Sequence, residues 1–516
     1  MKTTFWKWIY GASALFLFVA IVGAQLMDSG PGRAAAGAFS FGRTYYASAS
    51  GSGTACTNSS PCTLTTAMAK TDDYSTIMLR GGDYKLSAGY TVSRSKRLIG
   101  SGTVDQAGPA TRIMFGVNAN DGVVFAGAGP YTATVTGTVK GVYFDDATAY
   151  AATGSRGRPL KKTRNTGTPT TPAAGEWGQS GATLYLGDDP AGRTVRIVSG
   201  ANAGFTIARG CKDFLLQGIE FGYTAGHGLY APANQDSTQL NLNFIGLNNV
   251  SVFGCWDDTL GSGNMANSGI AVHAPSTVEA NRLTLDYCDN DLVNLKQQVT
   301  FVGKSVFGQR AGDDCISPHY GSHIDLDGFE FRDPQQYAGA DGDPITIYSG
   351  SSARLKNGTC FSTAGNGIYV FNGSALYPNS RLWAEDVVCS NGDWGTGATI
   401  GWYFQGRVSA TLIRCKAIGY QNATYGFGFY LQDSSALNIN SYLTMLDCSA
   451  VKCRASVRTG RDSATNTMRV DAVNFLHVDA TAAEISNAGT AALTTGGTST
   501  DGNAVAGVTL QSFWID

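Results

Sequence analysis

The sequence predicts an all-β solenoid, in which coils of short parallel strands stack on one another. A phrase made of an apolar run, a glycine or cysteine, a polar turn and a second apolar run recurs at intervals of 20 to 33 residues. The apolar runs are nearly continuous, which is typical of parallel sheets with a packed inner face. When the phrases are aligned, one column contains Gly222, Cys255, Cys288, Gly308, Arg332, Cys360, Cys389, Cys415 and Cys448.

The cysteines of this column are predicted to be buried filler instead of a disulfide framework. Equivalent residues of adjacent coils lie about 4.8 Å apart, and thiols in such a column pack as small apolar groups. Cys56 and Cys62 lie in a Ser/Thr-rich loop and can close a small ring, and Cys448 with Cys453 is a second candidate pair. The total of 11 cysteines leaves at least one free thiol in a monomer.

Residues 1–24 have the pattern of an export signal. Lys2 and Lys7 precede an uninterrupted apolar run from Ala14 to Ala24, which predicts a cleaved signal peptide. The alternative is a retained signal anchor, because the apolar stretch is almost long enough to span a bilayer. Either case predicts a secreted, periplasmic or cell-surface protein, with membrane contact only if the segment is retained. Residues 25–43 are predicted to be a small-residue linker.

Residues 44–90 are predicted to form an N-terminal cap, which covers the open edge of the first coil. The segment starts TYYASASGSG, has a short helical stretch near Leu64–Lys70 and continues with the strand that leads to LRGGDY. This opening resembles that of secreted proteins of the pectin-lyase-like superfamily. The resemblance implies a right-handed parallel β-helix and leaves the reaction open.

The β-helix is predicted over residues 91–457, with coils from about Thr91 to Phe144 and again from Val195. An insert at about residues 150–190 breaks the rhythm. Within it, Trp177 and the run Thr183–Leu186 predict a hairpin, either part of a functional face or a plain covering flap. Residues 458–516 are predicted to supply the last strands and a C-terminal cap or tail.

The charge balance argues against nucleic acid as a partner. The 37 basic and 39 acidic residues are mixed along the chain and give a net charge of -2, whereas nucleic-acid binding depends on clustered Lys and Arg. We therefore expect a polysaccharide or a surface glycan as partner. The oligomeric state is left open.

Acidic residues recur where the second strand of each coil begins. Asp291, Asp314 and Asp343 occupy equivalent positions in three adjacent coils. Carboxylates stacked in this way cannot all ionise without a cation or a proton between them. A calcium site is therefore possible, with ligands drawn from Asp289, Asp291, Asp314, Asp341 and Asp343. No other cofactor is required by the sequence.

The same region contains the predicted catalytic residues, which are Asp291, Asp313, Asp314 and His319. Asp289-Asn290-Asp291 and Asp313-Asp314 resemble the Asn-x-Asp and Asp-Asp motifs of the polygalacturonase family. That resemblance implies a carbohydrate site; the family's next motif, Gly-His-Gly, has no counterpart here. Two carboxyls can hydrolyse a glycosidic bond, or bound calcium can assist β-elimination of a uronate.

Cationic, imidazole and aromatic groups nearby are predicted to bind the substrate, since flat aromatic faces suit pyranose rings. The alternative for the aromatic residues is core filling. The predicted set is Lys296, Arg310, His323, His273, Trp394, Trp402 and Tyr403.

Together these observations predict an exported enzyme that degrades polysaccharide by hydrolysis or elimination in a groove on the solenoid face. The alternative is a non-catalytic adhesin, fibre or surface-structure subunit that binds glycans through the same face. A solenoid fold does not by itself decide between them.

Overall fold

The computed structural model describes residues 42–103, 110–146, 148, 160–200, 203–233, 242–259, 267–334, 342–362, 365–374, 376–391, 400–422, 424–432, 440–460, 467–473, 475–478, 485–487 and 513–515. Residues 1–42 and 43–516 are separate compact units, and the fold described below is that of the second unit. The predicted export segment and nearly all of the predicted linker lie outside the described residues. Within the described residues, no helix has the length and apolarity needed to cross a membrane.

The second unit is a right-handed parallel β-helix, as the sequence predicts. Its larger sheet contains β1 (Thr44–Ala47), β2 (Ser75–Leu79), β3 (Gly82–Leu86), β5 (Lys96–Ile99), β6 (Thr111–Phe115), β15 (Asp213–Thr224), β17 (Phe244–Cys255), β19 (Thr277–Cys288), β21 (Thr300–Ala311), β23 (His323–Arg332), β25 (Ser352–Phe361), β27 (Ser380–Ser390), β29 (Val408–Ile413), β30 (Lys416–Ile418), β32 (Asn440–Leu446), β33 (Ser449–Val451), β35 (Thr467–Val473), β36 (Leu476–Val478) and β38 (Phe513–Ile515).

A second sheet of twelve strands forms another side of the solenoid and is called the short-strand sheet below. It contains β4 (Tyr90–Val92), β14 (Ala203–Ile207), β16 (His227–Ala231), β18 (Ile270–Val272), β20 (Val293–Leu295), β22 (Ile316–Pro318), β24 (Ile345–Tyr348), β26 (Ile368–Asn372), β28 (Ile400–Gly406), β31 (Phe427–Gln432), β34 (Ala455–Gly460) and β37 (Ile485–Asn487).

The segment that the sequence predicts to be an N-terminal cap contains strands and one short helix. Strand β1 pairs in parallel with β2, and helix α1 (Leu64–Met68) lies between them in the chain. Thr63 caps the helix, because its side chain accepts a hydrogen bond from the backbone N–H of Thr66. Cys56 and Cys62 form a disulfide, and Cys448 and Cys453 do not.

The insert is longer than the sequence predicts. It contains a short 3-10 helix (Asn118–Asn120) and the strands β7 (Tyr131–Thr134), β8 (Gly141–Phe144), β9 (Leu160–Lys161), β10 (Thr163–Arg164), β11 (Glu176–Ser180), β12 (Thr183–Leu186) and β13 (Val195–Val198). These strands pair antiparallel except for β10, which pairs in parallel with β11.

Strands β11 and β12 form the predicted hairpin, and β12 also pairs with β7. Strand β8 pairs antiparallel with β13. The coils therefore do not continue to Phe144 or resume at Val195; they resume with β14, which lies beside β4. Short turns allow antiparallel pairing, whereas each parallel pair needs a full crossover, so these apolar runs leave the solenoid.

Each long strand of the larger sheet bends at a residue with positive φ. In register from coil to coil, this corner contains Gly218, Asn249, Arg282, Ser305, Gly328, Asn357, Asp386, Arg414 and Asp447, all with φ between 50° and 70°. Glycine, asparagine and aspartate tolerate this conformation best, and they fill six of the nine positions. The bend at this corner column divides each long strand into two segments, which lie on two faces of the solenoid.

The cysteine column in the sequence is partly wrong in register. Cys255 lies beside Cys288, and Cys360 lies beside Cys389, as predicted. However, Cys255 pairs with Thr224 instead of Gly222, and Cys389 pairs with Ala417 instead of Cys415. Coils of unequal length shift the register, and aligning the recurrent phrases does not reveal that shift. All nine free cysteines of the described residues are buried, as expected for filler.

The C-terminal end of the described chain closes part of the larger sheet. Strand β35 pairs in parallel with β32 and antiparallel with β38, so its second edge is partly covered. Such covering protects an otherwise open strand edge from pairing with another chain. Most of the predicted C-terminal tail lies outside the described residues.

Candidate functional site

The candidate site lies on the outer side of the short-strand sheet. Here Leu229, Ile270, Val293, Ile316, Ile345 and Ile368 follow one another in register and point into the core. Asp291, Asp314 and Asp343 each lie two residues before one of these core residues, so they too are in register. We call these three residues the acid column; the structure gives them the stacked arrangement that the sequence predicts.

Each member of the acid column accepts a backbone hydrogen bond from the next coil. The Asp291 carboxylate accepts from the N–H of Asp314 (3.3 Å), and the Asp314 carboxyl accepts from the N–H of Asp343 (3.0 Å). Asp343 accepts in turn from the backbone and side chain of Asn366. One oxygen of each carboxyl group thus ties neighbouring coils together, which is a structural role independent of any reaction.

Three carboxyl groups nevertheless converge at the centre of this face. Oxygens of Asp291, Asp313 and Asp314 all lie within 4.8 Å of one another. Asp291 and Asp314 are buried, and Asp313 is half-buried. Carboxylate oxygens are the ligands that Ca²⁺ prefers, so this trio could hold a cation as well as a proton.

The environment of Asp314 favours its protonated form. Burial raises the pKa of this carboxyl well above its usual range, and the neighbouring acids Asp313, Asp291 and Asp343 raise it further. Burial also raises the pKa of Asp291, but Asp291 accepts hydrogen bonds from the side chains of Ser317 and Asn294, which favour its ionised form. The arrangement therefore suits one retained proton, held on Asp314.

His319 lies beside the carboxyl groups and is neutral. Its Nε2 is 3.0 Å from the Ser317 hydroxyl, which itself donates to Asp291. Because the hydroxyl proton points to Asp291, His319 must donate through Nε2. The ring stacks on Tyr348 with centroids 4.9 Å apart, and burial lowers the pKa of His319 to about 3. It therefore supplies a hydrogen bond in its neutral form.

Lys296 and His273 occupy the same outward position as His319 in the two preceding coils. The Nε2 of His273 is 2.9 Å from Asn294 Oδ1, and Asn294 in turn donates to Asp291. Burial lowers the pKa of His273, with a smaller contribution from the nearby Lys296 charge. Both residues therefore lie on the candidate face.

Two other predicted binding residues lie elsewhere. Arg310 forms an ion pair with Asp286 and lies 4.0 Å over the Tyr287 ring, so its charge is already neutralised. His323 begins β23 in the larger sheet, where its Nδ1 is 2.8 Å from Ser352 Oγ. The sequence places both near the acids because it does not show the corners that separate them from this face.

The structure also corrects the prediction that the rings of Trp402 and Tyr403 bind the substrate. Trp402 is in register with the core residue Ile368 and has no exposed surface, and its indole N–H donates to the Lys416 carbonyl. Tyr403 points outward, but its ring is stacked between Tyr369 (4.8 Å) and Tyr430 (5.2 Å). Neither residue therefore has a free ring face for a sugar. Trp394 lies outside the described residues.

The five predicted calcium ligands do not form one group. Asp289 accepts hydrogen bonds from Asn267 N and Nδ2 (2.6 and 2.7 Å) and from Asp257 N (3.1 Å), and burial raises its pKa to about 7. Asp343 is occupied by Asn366 as described above. Asp341 lies outside the described residues. Of the predicted ligands, Asp291 and Asp314 remain together, joined by Asp313.

The sequence interpretation missed the small polar floor between these groups. Asn294, Ser317 and Thr346 follow the core residues of β20, β22 and β24 and point outward, yet all three are buried. Thr346 Oγ1 has no hydrogen-bond partner among the described residues. The sequence does contain a sign of this floor. Inward and outward positions alternate within the strand sequences VNL, ISP and ITIY, so these three residues are expected to point outward beside the acid column.

The comparisons with known proteins concern the fold alone. The chain is similar to a pectate lyase, Pel9A, at 12% identity and a TM-score of 0.37, over 83% of this chain and 80% of that one. It is similar to XylC in complex with xylose at 10% identity and a TM-score of 0.39, over 83% and 71% of the chains.

A family 28 exopolygalacturonase from Yersinia enterocolitica matches at 14% identity and a TM-score of 0.29, over 82% of this chain and 73% of that one. No protein-family model matches the chain, and no curated protein matches its sequence. We carry no residue role from these proteins to this chain.

Proposed function

We propose that the protein is a polysaccharide-degrading enzyme, and specifically a glycoside hydrolase that acts on the outer side of the short-strand sheet. The observation that carries the proposal is the convergence of Asp291, Asp313 and Asp314, whose environments differ. Hydrolysis of a glycosidic bond needs one carboxyl that holds a proton and one that is ionised. This trio can supply both.

The roles follow from exposure and hydrogen bonding. Asp314, whose pKa is raised by burial and by neighbouring acids, donates a proton to the leaving oxygen. Asp313 is the half-buried member and is the carboxylate best placed to activate water or to attack carbon. Both oxygens of Asp291 accept hydrogen bonds, so this residue holds Asp314 and Ser317 in place.

The rival function, glycan binding without cleavage, has one specific observation in its favour. Asp291, Asp314 and Asp343 each bind a backbone N–H of the next coil, which is sufficient to explain a column of aspartates in a structural solenoid. This role does not account for Asp313, which lies beside the column and brings a third carboxyl to the same point. For this reason we favour hydrolysis.

We further propose that the protein acts outside the cytoplasm. The basic and apolar pattern of residues 1–24 is typical of an export signal. The Cys56–Cys62 disulfide supports the proposal, because disulfides persist in oxidising compartments.

The direct experiment is an activity panel on neutral and acidic polysaccharides, with assays for new reducing ends and for unsaturated uronate products. The wild-type protein is expected to release reducing ends from at least one polymer. Asp314→Asn and Asp313→Asn should each lower that rate about 100-fold or more, since general acid–base catalysis contributes at least this much.

Asp325→Asn is the matched control, because Asp325 is a half-buried aspartate on strand β23 of the larger sheet, outside the acid column and the convergent trio. The substitution removes an ion pair with Arg354 and changes no group of the candidate site, so the rate should stay within a few-fold of wild type. Unsaturated products that disappear on calcium chelation would show elimination instead of hydrolysis. Full activity of Asp314→Asn, or no product from any polymer, would contradict the proposed function.

A further inference from the structure

An exposed group of apolar side chains lies at the corner that follows β22 and β26. Tyr320 is 43% exposed and Leu376 is 90% exposed. The ring of Tyr377, which is half-buried, lies 5.7 Å from the ring of Tyr320. We call Tyr320, Leu376 and Tyr377 the corner platform. Large apolar side chains grouped on a surface often mark a binding site.

The backbone conformation of Tyr320 indicates that its side chain is not required to form the local turn. The corner residues Gln297, Tyr320 and Ser349 occupy the same position in consecutive coils, and all have positive φ, at 66°, 55° and 50°. Glycine is the least strained residue in this conformation, and a bulky aromatic residue is unusual there. The ring of Tyr320 projects outward without filling the core.

The loop that bears Tyr377 is held in place by buried polar groups. Asn372 has no exposed surface and donates from Nδ2 to the Pro378 carbonyl. The hydroxyl of Ser380 accepts from the Gly350 N–H at 3.1 Å. A Cβ at Gly350 would lie 2.8 Å from the Cβ of Tyr377, so the loop packs directly on this corner. A fixed surface loses little entropy when it binds.

The corner platform continues into the candidate site. The ring of Tyr320 lies 5.8 Å from the ring of His319, which stacks on Tyr348. Strand β22 lies between Asp314 and Tyr320, which are six residues apart in the chain and therefore at most about 20 Å apart. One polymer can therefore contact both places at the same time.

The chemistry of the platform favours an uncharged ring. None of its three members is charged, and His319 beside it is neutral because burial lowers its pKa to about 3. The C–H face of a pyranose ring stacks well on tyrosine, and the hydroxyl groups around that ring stay solvated. A charged peptide or a phosphate would find no countercharge on these three side chains.

We propose that Tyr320 and Tyr377 bind a sugar ring of the glycan chain away from the bond that is cleaved. The identity of that glycan rests on the proposed function, whereas stacking of a sugar at this corner is an independent claim. The platform takes the place of the surface that the sequence assigned to Trp402 and Tyr403.

The test is affinity gel electrophoresis with arabinoxylan, mixed-linkage β-glucan or polygalacturonate in the gel. Tyr320→Gly is the informative variant, because glycine relieves the positive φ and the protein should unfold at the same or a higher temperature. Loss of one stacking contact should weaken binding of the retarding polymer about three- to tenfold. Tyr442→Ala is the control, since Tyr442 is 37% exposed on the larger sheet and should leave retardation unchanged.

The outcomes separate this inference from the proposed function. Retardation of Tyr320→Gly equal to wild type in every gel would overturn the corner platform, as would no retardation of the wild-type protein by any of the three polymers. Weakened binding of Tyr320→Gly together with full turnover by Asp314→Asn would support the platform and refute the hydrolase.

Discussion

At the residue scale, His227 shows that a side chain other than aspartate can accept the backbone hydrogen bond that links one coil to the next. His227 lies in register with Ala203 of the preceding coil and begins β16. Its Nδ1 accepts a hydrogen bond from the Ser268 N–H at 3.0 Å, as the carboxylates of the acid column accept from their neighbours. The Tyr230 and His273 rings face it, at 4.6 and 6.5 Å.

This environment predicts a pH dependence of stability. Burial, and then the charges of His273 and Lys296, lower the pKa of His227 from 6.5 to about 4. The folded form stays neutral where the unfolded chain takes up a proton. The stabilisation is therefore complete above about pH 6.5 and is lost as pH falls towards 4, at about 1.4 kcal/mol per pH unit.

The variant His227→Asn should remove this dependence. Asparagine Oδ1 can replace Nδ1 as acceptor of the Ser268 N–H and does not titrate. Urea unfolding of both proteins at several pH values between 6.5 and 4.5 should show a shallower loss of stability in the variant, by about one proton. Equal slopes for the two proteins would mean that His227 is charged in the folded state.

At the element scale, the corner column explains how a twelve-residue strand serves two faces of the solenoid. Strand β19 bends at Arg282 (φ 53°), and β23 bends at Gly328 (φ 70°). A left-handed conformation costs an L-residue about 1–2 kcal/mol relative to glycine. Arg282 has an exposed side chain, and a Cβ at Gly328 would meet no atom closer than 3.8 Å.

Substitutions at these two positions therefore change the backbone strain with little change in side-chain packing. Arg282→Gly should raise the free energy of unfolding by about 0.5–1 kcal/mol, since relief of strain is partly offset by the flexibility of glycine in the unfolded chain. Gly328→Ala should lower it by about 1 kcal/mol. Chemical denaturation measures both. A loss of stability in Arg282→Gly would show that the arginine side chain, and not the backbone, determines this corner.

The same column shows what the sequence can and cannot predict. The recurrent phrase of apolar runs and glycines or cysteines is enough to predict a stacked solenoid and the register of Asp291, Asp314 and Asp343. The lengths of the turns are not recoverable in this way, because a corner can be formed by glycine, asparagine, arginine or serine. For that reason the sequence predicts Arg310 and His323 beside the acids and aligns Cys415 with Cys389, although the structure places them elsewhere.

The sequence also does not predict which aromatic residues are buried. In β28 the residues Trp402 and Tyr403 are adjacent, and a shift of one residue exchanges the inward and outward positions. The sequence shows a run of aromatic residues but does not show which of them point inward and which point outward. It also could not show that Tyr403 has neighbours on both ring faces, because these come from separate coils.

At the scale of the β-helix as a whole, stability depends on each coil covering the next, and the first coil needs the cap. The disulfide joins two cysteines six residues apart, with Cys62 bridged to Ala47 of β1. A cross-link of this length stabilises mainly by restricting the unfolded chain.

Replacing both Cys56 and Cys62 by serine should therefore lower the free energy of unfolding by about 2 kcal/mol. Reducing agent should lower the melting temperature of the wild-type protein and leave that of the double variant unchanged. Equal melting temperatures of the wild-type protein with and without reductant would show that the disulfide does not stabilise the cap.

In the proposed function, the carboxyls of Asp313 and Asp314 act on a glycan bound over the short-strand sheet, and Asp291 holds Asp314 in position. A crystal structure of Asp314→Asn with an oligosaccharide of the retarding polymer tests this proposed function most directly. We predict a glycosidic oxygen within hydrogen-bond distance of the side chain at position 314, with further sugar rings extending towards Tyr320. An oligosaccharide bound on the larger sheet, with the side chains at positions 313 and 314 free of contact, would contradict the proposed function.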